Sequence, residues 1–132
     1  MANLIYPTAK KAFLDGDIDL LNDTIKIALC KTAYTYSSAH DFYDDLGANP
    51  VGTDQTLAGK STTGGVFDAT DPVWTALSST EVSYAVIYKS TGVAGTSQLI
   101  AYLDTITGVP FTPSGADYTL VFDSGANKIF AL

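Results

Sequence analysis

The sequence predicts a mainly β protein: an antiparallel β-sandwich or jelly-roll-like barrel of about seven or eight strands, with a short N-terminal helix. Three observations point that way. Val82, Tyr84, Val86 and Tyr88 alternate with Ser83, Ala85, Ile87 and Lys89, a period of two in residues that suit a pleated surface. A second aliphatic and aromatic run, residues 98–106, follows after the turn-rich stretch TGVAGTS. Together these runs predict a long antiparallel hairpin over 81–106, with the rest of the chain as its cover. Finally, only 16% of residues are charged, while Thr, Ser, Gly and Tyr are plentiful. Few Glu, Lys or Arg remain for exposed helical faces.

The remaining elements follow in chain order. Residues 5–15 hold the best helix. Pro7 suits a first turn, Thr8 can cap, and Ala9, Ala12 and Phe13 share a face at helical spacing. Asp15-Gly16 supplies the stop. A helix this short must dock on the sheet to persist. Residues 17–23 bridge to a strand over 24–31, where Ile25, Ile27 and Leu29 should face the core. Tyr34 and Tyr36 extend that strand in this reading. Ser38 then caps a helical turn through 40–46, with Phe42, Tyr43 and Leu46 turned inward and Gly47 closing it.

Residues 51–65 are polar and lack core-forming density. They read as a surface arm or a pair of weak edge strands. Short strands are expected at 66–68 and 73–77, split by the Asp71-Pro72 turn. The loop 107–115 contains Pro110 and Pro113, which no central strand tolerates. Strands over 117–123 and 128–132 complete the count. Nothing supplies the repeated helices that a parallel sheet needs. At 132 residues, one domain over 1–132 is expected.

Charge and composition narrow the function classes. The net charge is −7, and the seven basic residues are all lysine. A nucleic-acid surface needs a basic patch and usually arginine, so no nucleic acid is expected as a partner. Anionic membranes are disfavoured for the same reason, and the longest apolar runs fall far below the roughly 20 residues of a membrane span. The opening residues do not read as a signal peptide, so folding in a reducing cytoplasm is expected. Cys30 is the single cysteine and should be a small core residue.

Candidate chemistry is sparse. Asp15, Asp17 and Asp19 have calcium-loop spacing, but Leu20 and Lys26 stand where an EF-hand needs Gly and Glu. His40-Asp41 with Asp44 and Asp45 has no second nitrogen or sulfur ligand for zinc. No serine lies in a G-x-S-x-G elbow. Glu81 is the sole glutamate, and nothing marks a carboxylate partner for it. Gly64-Gly65 is not followed by the lysine or helix of a phosphate cradle. No catalytic, cofactor-binding or metal-ligating residue is assigned, and no enzyme is expected. The eight tyrosines and Trp74 suit sheet faces, a protein interface or a glycan platform.

Several segments carry a resemblance: TIKIALCKTAYTY, DPVWTAL, EVSYAVIYKSTG, SQLIAYLD and YTLVFDSGANKIFAL. With the Asp15–Leu20 acidic step and His40-Asp41-Phe42, the chain resembles small β-rich virion proteins of tailed bacteriophages over nearly its whole length. The resemblance implies a structural part of a phage particle. The favoured role is a capsid decoration or cement protein, bound outside the major capsid protein lattice and forming a homo-oligomer, dimer or trimer. A tail- or fibre-associated structural or glycan-binding module is the alternative. The N-terminal helix and the 51–65 arm are the expected contacts with partners.

Overall fold

A computed structural model describes residues 3–132 of the chain. The fold is mainly β with one short N-terminal helix, and its sheets do not close into a barrel. Five strands make one antiparallel sheet in the order β1 (Leu4–Ile5), β7 (Leu99–Leu103), β6 (Val82–Lys89), β2 (Ile25–Lys31), β3 (Pro50–Thr56). Two short ribbons pair β4 (Val66–Phe67) with β9 (Phe130–Ala131), and β5 (Val73–Trp74) with β8 (Tyr118–Thr119).

The hairpin expected at 81–106 is β6 and β7, and β6 is the middle strand of the sheet. Its connecting loop is tied by side chains. The Ser97 hydroxyl, buried, donates to the Val93 carbonyl at 2.8 Å and accepts the Thr91 N–H at 3.0 Å. Register puts Cys30 opposite Tyr84, Ala28 opposite Val86, and Val86 opposite Tyr102. These residues therefore share one face. Ile25, Ile27 and Leu29 share the other with Ala85, Ile87 and Ala101. Both faces are buried, which explains why the sequence shows near-continuous apolar runs in β2, β6 and β7. Each fully buried Ile or Leu contributes about 1.5–3 kcal/mol relative to exposure.

The helix α1 spans Pro7–Leu14, inside the expected 5–15. Leu4 and Ile5 belong instead to the edge strand β1, because Pro7 can open a helix only at its first turn. The Thr8 hydroxyl does not cap; it donates to the His40 carbonyl at 3.2 Å. Ala9 and Ala12 are buried, and Gly16, at φ 79°, allows the chain to leave the helix.

Four further expectations need correction. Tyr34 and Tyr36 do not extend β2. The chain turns after Lys31, and the Tyr34 ring is drawn into the core. The turn expected from Ser38 forms later, as a 3-10 turn over Tyr43–Leu46. Its start is held by the Asp45 carboxylate, which accepts the Asp41 N–H at 2.8 Å and the Phe42 N–H at 3.3 Å. Leu46 is fully buried; Phe42 and Tyr43 are half-buried.

The third concerns 51–65, where the edge-strand reading holds, with one named edge strand in place of two. Residues 50–56 form the edge strand β3, bonded to β2, and Val51 and Leu57 are buried. It is an anchored edge, and two apolar side chains sufficed where the polar average hid them. The fourth concerns the last strands. Of 117–123 only Tyr118–Thr119 pairs as a strand, although Leu120 and Phe122 are buried beyond it. Of 128–132 only Phe130–Ala131 does.

Candidate interaction surface

The tyrosines gather mainly on the sheet face that carries Cys30. Tyr84 and Tyr102 are 5.2 Å apart between ring centroids, and Tyr34 and Tyr36 pack against Tyr102 at 6.0 and 5.1 Å. Tyr6 closes the group at 5.2 Å from Tyr36. A hydrogen-bonded chain runs through it: the Tyr6 and Tyr34 hydroxyls are 2.8 Å apart, and Tyr34 Oη lies 2.8 Å from His40 Nδ1. Burial raises the pKa of the Tyr6 phenol strongly. Burial also pushes Tyr34 up to about 12, partly offset by the Tyr6 hydroxyl. These phenols are neutral core groups at neutral pH.

The other residues singled out from sequence are scattered. Asp19 Oδ1 accepts the N–H groups of Leu21 and Asn22 in a solvated turn. Hydrogen bonds from Asn22 hold its carboxyl below the usual range. Lys11 and Asp15 form an exposed ion pair. Glu81 Oε1 accepts from the Thr32 hydroxyl at 2.9 Å. The thiol of Cys30 is buried, and burial raises its pKa well above the usual range. Among the described residues no group of three His, Cys, Asp or Glu side chains is arranged to hold a metal ion. No helix among them is long and apolar enough to cross a membrane.

Trp74 is buried, 1% exposed, so it is not part of a surface platform. A second aromatic pair, unforeseen from sequence, lies below the surface, with Tyr88 buried and Tyr43 half-buried. The Tyr43 and Tyr88 rings are tilted at 4.6 Å, and the Tyr88 hydroxyl donates to Asp54 Oδ2 at 2.7 Å. Burial, and then the Asp54 carboxylate, raise the pKa of both phenols. Tyr88 on β6 and Asp54 on β3 stand on either side of β2, a juxtaposition that no local pattern in the sequence marks.

Exposed apolar side chains concentrate near the end of α1. Leu21 and Leu132 line, with Phe13, Ile18 and Thr62, a shallow hollow of about 400 Å³. Leu21 is 49% exposed and Leu132 67%. Leu14, the helical neighbour of Phe13, is 89% exposed. Leucines this open, grouped beside a helix, are characteristic of contact surfaces. The helix is the expected contact element, but nothing in the sequence marks these leucines. Neither a family model, a curated protein nor a solved structure matches this chain.

Proposed function

We propose that this protein is a structural component of a bacteriophage particle, most consistent with a capsid decoration or cement protein bound to the major capsid protein lattice. The observation that carries the reading is the hollow beyond the end of α1, where Leu21 and Leu132 are open to solvent, together with Leu14, exposed on the helix outside that hollow. A binder that engages only the assembled lattice stabilises it by mass action, with no reaction required. Burying three leucines adds about 1.5–3 kcal/mol each before the costs of association. The contact helix expected from sequence lies at this hollow, whereas the 51–65 segment contributes to the protein's own edge strand.

Copurification with intact particles tests the reading. Hundreds of copies per particle support a shell role. About a dozen or fewer move the protein to the tail or a vertex, and no association at all removes the proposal.

A further inference from the structure

A groove separate from the tyrosine cluster runs between two strand edges that lack partners among the described residues. Register and hydrogen bonds fix which backbone groups are left over. On β1, Leu4 pairs with Tyr102, and the Tyr6 N–H donates to the Ile100 carbonyl at 3.0 Å. Pairing groups alternate along an antiparallel strand, so Ile5 between them turns its N–H and C=O away from β7. On β9, Phe130 pairs with Phe67, and the Leu132 N–H donates to the Gly65 carbonyl at 3.0 Å. By the same alternation Ala131 turns its N–H and C=O away from β4.

Ile5 and Ala131 line the same groove, of about 660 Å³. It continues into a second hollow of about 310 Å³, with Asn3, Thr105, Asp123, Lys128 and Ile129 common to both. Leu4, Ile5, Ile129 and Phe130 give its lining an apolar half, and Asn3, Thr105 and Asn127 with two lysines a polar half. Unpaired strand edges flanking a trough of this mixed kind are the geometry of strand addition, in which main-chain hydrogen bonds hold a peptide and alternate side chains enter the trough.

The charge of the groove indicates the occupant. The whole chain is at −7, yet Lys10 and Lys128 both line the groove. Neither is in an ion pair among the described residues; Lys128 Nζ reaches only the Ser124 carbonyl, at 3.4 Å. The one side-chain carboxylate in the lining, Asp123, is engaged by the Gly125 N–H of its own turn at 3.0 Å. We propose that this groove binds an extended peptide segment of a partner protein, with aliphatic residues alternating with carboxylates, as an added strand between β1 and β9. The proposal does not depend on the virion reading.

The test uses the full chain and a defined probe, the blocked peptide acetyl-Val-Asp-Val-Asp-Val-amide, followed by backbone amide NMR. Saturable shifts of the Ile5 and Ala131 amides are expected. The Lys10→Glu/Lys128→Glu variant should weaken binding about tenfold or more, as should replacing the peptide's aspartates with lysines. Ala131→Pro, which removes an N–H not used by β4, should weaken it with the amide spectrum otherwise retained. The proposal is overturned if the two amides do not respond, or if the lysine peptide binds equally well. Equal binding by a peptide N-methylated at alternate residues also overturns it, because strand pairing would then be absent. So does concentration-dependent self-association abolished by Ala131→Pro, which would make the occupant a second copy of this chain.

Discussion

Two aromatic clusters in this molecule are built on opposite terms. Around Tyr34 every buried hydroxyl of the Tyr6–Tyr34–His40 chain has a partner. Around Trp74 the rings pack as closely, with Phe111 and Tyr118 stacked at 4.3 Å and Trp74 at 6.1 Å from Tyr118. There, however, Trp74 Nε1 and the Tyr118 hydroxyl are buried without a hydrogen-bond partner among the described residues. The first cluster lies on the five-stranded sheet and is positioned by polar contacts as well as packing. The second joins a two-residue ribbon, β5–β8, and rests on packing alone. A satisfied network makes each member costly to remove, whereas an unpartnered polar atom costs about 1–3 kcal/mol where it stands.

Substitutions can break this contrast, from the largest effect to the smallest. Trp74→Ala should cost about 3–5 kcal/mol in chemical denaturation, since it empties a fully buried site next to Leu77 and β3. A loss under 1 kcal/mol would mean that the ribbon contributes little to the fold. Tyr34→Phe should cost about 1–3 kcal/mol, because it strands both the Tyr6 hydroxyl and His40 Nδ1. Tyr118→Phe should be neutral or stabilising by up to about 1 kcal/mol, as it deletes a hydroxyl that has no partner. If Tyr118→Phe proves as damaging as Tyr34→Phe, the two clusters do not differ in the way described.

Alkaline pH sharpens the same comparison. The folded Tyr34 phenol titrates at about 12, above the roughly 10 of an exposed tyrosine, and Tyr6, Tyr43, Tyr88 and Tyr102 are raised as well. A raised pKa means that the unfolded chain releases its proton first. The contribution is therefore complete below about pH 10 and falls as pH rises through the folded values. Denaturation midpoints should hold steady from neutral pH to about 9 and drop above 10, less steeply in Tyr34→Phe. The smallest effect concerns Cys30: an aromatic disulfide reagent should label it in the unfolded chain and leave the native chain unlabelled, because the thiol is buried and protonated.

Much of the sheet was legible because it depends on local alternation. Ile25, Ile27 and Leu29 face the core as their spacing required, and the 81–106 hairpin sits at the sheet's centre. What escaped was set by distant contacts. Leu4 and Ile5 carry no strand signal of their own; they become one because β7 lies beside them. Tyr34 has strand propensity, yet its hydroxyl is claimed by Tyr6, 28 positions away in sequence. The polar look of 51–65 concealed Gly52, whose φ of 66° lets β3 pass against Leu77 and Trp74. The leucine hollow depends on the last residue of the chain meeting the turn after α1, which no periodicity encodes.

We propose that this protein acts through its outer contour, while the buried tyrosine chain serves only the fold. The most direct measurement is a shell-binding titration of three folded proteins: the native chain, Leu14→Asp/Leu21→Asp and Tyr34→Phe, each at a temperature where its amide spectrum is intact. Tyr34→Phe should decorate shells like the native chain, while the double leucine variant should lose at least about tenfold in affinity. Full decoration by the leucine variant, together with loss of binding in folded Tyr34→Phe, would contradict the proposal.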